Sequence, residues 1–103
     1  AAAEALVGVL RGPDADEDSH VRYAAARALG EIGGAGAVGA LSRALWGPDM
    51  DDAPLVRSEA VCALGEIGGE RAIKTLIRAS RGPRPDKLST IRRAAVEALA
   101  KIG

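Results

Sequence analysis

Cys62 and His20 are the only thiol and the only imidazole in the chain, and besides the serines they are its only classical nucleophile and base candidates. A Cys–His pair works only in hydrogen-bond contact, with a third group orienting the base. The two residues fall in different copies of a repeated pattern, and Cys62 sits at an outward helical phase shared with Arg27 and Glu97. No Gly-rich phosphate loop or His–Glu metal pair accompanies them. Catalysis by this chain is therefore not expected. The acidic stretches offer other chemistry. Asp14, Asp16, Glu17 and Asp18, then Asp49, Asp51 and Asp52, could supply oxygen ligands to a divalent cation. An EF-hand would add a Gly at the turn and a bidentate Glu six positions beyond it, and both are absent. Carboxylates just ahead of a helix also cap free N–H groups and complement the helix dipole. Capping is the better reading, and no metal or other cofactor is expected.

The elements that must position these residues follow from a repeat. VRYAAARALGEIGG over 21–34 returns as VRSEAVCALGEIGG over 56–69, and more loosely as IRRAAVEALAKIG over 91–103. The offset of 35 residues extends further, since Gly12-Pro13-Asp14 matches Gly47-Pro48-Asp49 and Gly82-Pro83-Arg84. Fixed self-similarity at this spacing marks a repeat array. Val21, Ala25, Ala28, Leu29 and Ile32 fall on one face at helical spacing. Gly33-Gly34 and Gly68-Gly69 end such helices, because Gly tolerates left-handed caps. Shorter helices follow, with Val38, Leu41 and Leu45 as an apolar stripe, and Gly47-Pro48 ends them. The predicted helices are 1–11, 19–32, 36–46, 54–67, 71–81 and 89–102. Stacked pairs would bury a continuous core, with Val21, Val56 and Ile91, Leu29, Leu64 and Leu99, and Ile32, Ile67 and Ile102 on the inner faces.

Composition agrees. The chain has 103 residues, one Trp, one Tyr and no Phe, so Ala and Leu fill the interior and suit closely packed helices. One domain over 1–103 is expected. No apolar run approaches the ~18 residues of a membrane span. A single Cys and the lack of a signal-peptide pattern point to a cytoplasmic default. Net charge is zero, yet residues 1–52 carry 9 acids and 4 bases while residues 53–103 carry 5 acids and 10 bases. An acidic end and a basic end favour a charged partner or head-to-tail contact between copies. The chain opens AAAEAL without Met, and by this reading its first and last helices lack partners. Either a longer array or self-association through uncapped ends is expected.

Val21, Arg22, Ala25, Ala28, Leu29, Gly30, Ile32 and Gly33 in one copy, with their counterparts from Val56 to Gly68, resemble the short HEAT-like repeats of prokaryotic proteins, the type found in phycobilin lyases. The resemblance spans essentially the whole chain and rests on packing residues. It implies an all-α fold, an α-solenoid of antiparallel helix pairs whose six helices equal three HEAT-like repeats. The loops over 12–20, 47–55 and 82–90 look several residues longer than in the usual short form. Arg22, Arg57 and Arg92 recur with Asp16, Asp51 and Asp86, and this recurrence resembles the Asp–Arg ladders of HEAT-type solenoids. Arg suits such a ladder because its planar fork bonds two oxygens at once.

The resemblance also implies that the second helices line a concave surface. Off their apolar stripe stand Arg43, Arg71, Lys74 and Arg78, with Trp46 and Arg81 at helix ends. A basic stripe through them could meet phosphates or an acidic peptide. Trp is enriched among binding hot spots, although Trp46 also suits plugging a gap beside Gly47-Pro48. The expected function is a non-catalytic scaffold that binds another protein on this face. A nucleic-acid-binding module is the first alternative, weakened by zero net charge and the lack of an aromatic platform for bases. A regulatory or substrate-holding part of an enzyme such as a bilin lyase is the second.

Overall fold

The computed structural model describes residues 2–82 and 85–103. Six α-helices follow one another: α1 (Ala2–Leu10), α2 (Ser19–Ile32), α3 (Gly34–Leu45), α4 (Pro54–Ile67), α5 (Glu70–Arg81) and α6 (Ser89–Ile102). Three of the predicted spans, 19–32, 54–67 and 89–102, coincide with α2, α4 and α6. The shorter helices differ by one or two residues, and Pro83 and Arg84 of the third Gly-Pro motif lie outside the described residues.

Local chemistry explains each boundary. The Asp18 carboxylate accepts the His20 N–H at 2.9 Å and caps α2. Pro54 opens α4, where the missing N–H costs nothing. Gly33 and Gly68 close α2 and α4 at φ 73° and 70°, and their N–H groups return to Leu29 O and Leu64 O. Gly34 and Gly69 also have positive φ, so a single residue turns the chain between α2 and α3 and two turn it between α4 and α5. That tight reversal is why α3 begins at Gly34 rather than at 36. The longer Gly-Pro loops close by another route. Asp16, Asp51 and Asp86 donate their backbone N–H groups to Val9 O, Ala44 O and Ala79 O of the preceding helices, at 2.9, 2.7 and 2.9 Å.

The helices form two layers, α1, α3 and α5 in one and α2, α4 and α6 in the other, with α4 packed between α2 and α6. The fold is an all-α solenoid. Its core is Leu10, Leu29, Leu41, Leu45, Val56, Val61, Leu64, Leu76 and Ile91 with small Ala residues between them. Helix pairing corrects one expectation. The closely packed pairs are α1 with α2, α3 with α4 and α5 with α6, joined by the Gly-Pro loops. Neither α1 nor α6 therefore lacks a partner within the chain.

The inner-face expectation needs a second correction. Val56 and Ile91 are buried, but Val21 is 41% exposed and Ile32 50% exposed, while Ile67, Leu99 and Ile102 are half-buried. Val56 and Ile91 are covered by the unit before them, and α2 has no such unit in this structure. The helix faces also bury more than the sequence stripe suggests. Ala26 and Val61 are fully buried. A Cβ placed on Gly30 would stand 2.7 Å from the Ala63 Cβ, and one on Gly65 would stand 3.0 Å from the Ala98 Cβ. The repeated Gly of the ALG motif thus lets α2 approach α4, and α4 approach α6. Tyr23 on α2 is half-buried.

Candidate functional site

A ladder of ion pairs holds the loops of successive units in register. Arg22 donates from Nε and Nη2 to the two carboxylate oxygens of Asp51 at 2.8 and 3.0 Å. Its Nη1 bonds the backbone carbonyls of Asp16 and Glu17, at 2.8 and 3.0 Å. Arg57 repeats the arrangement with Asp86, at 2.8 and 3.4 Å, and its Nη1 bonds Asp51 O at 2.9 Å. Each carboxylate also accepts an N–H two residues on, at Asp18, Ala53 and Leu88. Asp51 raises the Arg22 guanidinium above even its ordinary value, chiefly through these hydrogen bonds. Bidentate, charge-assisted pairs of this kind are geometrically specific. Among the described residues, Asp16 and Arg92 make no such pair between units.

The groove between α3 and α5 has a different character. Ser42 and Thr75 share a hydrogen bond at 2.9 Å across its floor. The Arg78 guanidinium lies over the Trp46 ring, 4.4 Å from its centre, within the reach of a cation–π contact. Arg43, Trp46, Arg71 and Arg78 line one hollow of about 360 Å³ with Gly39, Thr75 and Asp49. Arg43 and Arg71 make no ion pair or hydrogen bond with the described residues. On the other side of Trp46 lies a larger hollow of about 690 Å³, walled by Leu45, Pro48, Met50 and Pro85, with the Arg57–Asp86 pair beneath. Trp46, Gly47 and Pro48 form the wall common to both.

Four of the six candidate groove residues therefore converge, and two do not. Lys74 points to Glu70 one turn away, at 3.7 Å and well exposed, and Arg81 lines neither hollow. Ser42 was not anticipated. It meets Thr75 at an offset of 33 residues, as Gly30 meets Ala63, whereas the sequence repeats at 35. A search for period-matched residues passes over such pairs. The nucleophile candidates stay apart in chemistry. Partial burial, followed by the Glu59 and Glu66 carboxylates, pushes the Cys62 thiol up. His20 leans on the Asp18 carboxylate of its own helix cap, at 3.3 Å.

No helix among the described residues is long and apolar enough to cross a membrane. No curated protein matches the chain. Two family models do match. One, for HEAT repeats, covers residues 50–103, and the other, for the PBS lyase HEAT-like repeat, covers residues 21–45. Such repeats generally mediate protein interactions. With six stacked helices, inter-unit Asp–Arg pairs and a family match over more than half its length, this chain belongs to the HEAT repeat family.

Proposed function

We propose that the chain is a non-catalytic scaffold whose α3/α5 groove binds an acidic segment of another protein. One observation carries the reading: Arg43, Arg71 and Arg78 gather around Trp46, and Asp49 is the one carboxylate among the described residues that line the same hollow. Such a site offers guanidinium forks to carboxylates and a large aromatic ring beside them. The apolar hollow beyond Trp46 would take a hydrophobic side chain next to the acidic ones. The helices are fixed by the core, so binding orders little of the scaffold.

Affinity capture with and without nuclease tests this reading, run beside Arg43→Glu/Arg78→Glu. A retained protein that survives nuclease and is lost with the variant supports it. Material that disappears with nuclease would make the groove a nucleic-acid site instead.

A further inference from the structure

The hollow between α3 and α5 holds more positive charge than a carboxylate side chain needs. Three guanidiniums line it, against Asp49 as the one carboxylate among the described lining residues. Asp49 also pairs with Arg11 at 3.6 Å, which shares out its charge. An Asp or Glu ligand brings one charge and two oxygens. A phosphate monoester brings close to two charges at pH 7 and three acceptor oxygens. The donors suit the larger demand. Arg43 and Arg71 make no ion pair or hydrogen bond with the described residues, so their forks are unspent. Arg71 reaches from α5 towards α3, where a Cβ placed on Gly39 would stand 3.8 Å from its Nη2. The contact with Trp46, 4.4 Å from the ring centre, restrains Arg78 beside them. On the floor, Ser42 and Thr75 bond each other at 2.9 Å. Two hydroxyls carry two hydrogens and this bond uses one, so one O–H remains to donate.

The surroundings favour a single phosphate on a peptide. A nucleic acid brings phosphates in series, but the basic residues do not continue past this hollow. Beyond the wall of Trp46, Gly47 and Pro48 the next hollow is apolar, with Leu45, Met50 and Pro85. Asp49 also borders a cleft around Arg11 and Arg22 that is lined by Asp16, Asp51 and Asp52, and these carboxylates repel a second phosphate. An apolar side chain beside one phosphate is what a peptide supplies. We infer that the groove recognises a phosphorylated residue of its partner, the phosphate held by Arg43, Arg71 and Arg78 and a neighbouring apolar side chain held beyond Trp46. This rests on the reading of the groove as a site for an acidic protein segment, and it makes binding conditional on the partner's phosphorylation.

Retention of peptide libraries on the immobilised chain tests the inference. Each library has randomised flanks around one fixed residue: phosphoserine, phosphothreonine or phosphotyrosine, with Glu and Ser beside them. At least one phosphorylated library is expected to be held about tenfold or more better than the Glu library. Lowering the pH from 7 to 5 protonates the phosphate, whose second pKa is about 6, and should remove most of that advantage. A Glu carboxylate, with an ordinary pKa of about 4.3, stays charged over the same range. Arg43→Gln and Arg71→Gln should each weaken retention about tenfold. Arg71→Lys keeps the charge but loses the fork and should recover only part of it. Both arginines are exposed, so circular dichroism should show unchanged helices. Equal retention of the Glu and phosphorylated libraries, both lost with the arginine variants, would overturn the phosphate and leave the acidic groove standing. If no acidic library is held, both readings fail. A single-stranded oligonucleotide held while every peptide passes would reassign the hollow to nucleic acid and overturn the inference.

Discussion

Gly30 shows how much one absent side chain decides. A methyl group there would collide with Ala63, and overpacking of a tight contact costs roughly 1–3 kcal/mol. Against that, Ala gains up to about 1 kcal/mol over Gly in a helix. Gly30→Ala should therefore lose about 1 kcal/mol net in urea denaturation. Gly8, with open space around it, should gain about 0.5–1 kcal/mol on the same change. Glu59 responds to pH. Desolvation holds its carboxyl above the ordinary value, with Arg27 opposing, Glu66 adding and the Tyr23 hydroxyl opposing. A raised folded-state value favours the protonated fold at low pH, and that advantage is lost as pH rises through it. Glu59→Gln should be more stable than the parent at pH 7 and equal to it near pH 3, by chemical denaturation at both. The recurrence of Gly30 and Gly65 was plain in the sequence. What they touch was not, because the touching residues are offset by 33 rather than by the period.

At the scale of the element, the ladder explains why the long loops keep one register. Arg57 and Asp86 are both buried, and removing one partner of a buried pair leaves an uncompensated charge. Arg57→Ala should cost roughly 3–5 kcal/mol, read from the shift in denaturation midpoint. Losing the cap with Asp18→Ala should cost clearly less than Arg57→Ala in the same measurement, because its hydrogen bond lies at an exposed helix start. The helix ends were legible wherever chemistry marks them. Asp18 starts α2, Pro54 starts α4, and Gly33 and Gly68 end α2 and α4. Where marks are weak, as at the first residues of α3, propensity alone misplaces the start by two residues. Pairing was harder to read. The sequence motif groups α2 with α3, but the Gly-Gly turn keeps them nearly apart, and the longer Gly-Pro loop lets α3 fold flat on α4.

Across the whole molecule, periodicity revealed the solenoid because every unit repeats the same burial problem. It could not reveal which copies lie inside. Val21 and Val56 occupy equivalent positions, yet one is largely exposed and the other fully buried, and only their neighbours distinguish them. The groove was partly legible for a related reason. Arg43 and Arg78 occupy equivalent positions in successive units and recur on one face, whereas the stacking of Arg78 on Trp46 depends on how α3 ends in extended backbone. Trp46 is the only Trp in the chain and stands inside the proposed binding site, so its emission reports directly on occupancy. The most direct measurement is a titration of Trp46 fluorescence with an Asp/Glu-rich peptide containing one apolar residue, beside a single-stranded oligonucleotide of equal charge. The account predicts a saturable change with the peptide that weakens with salt and vanishes in Arg43→Glu/Arg78→Glu. A change produced by the oligonucleotide alone, or a peptide response untouched by that variant, would contradict it.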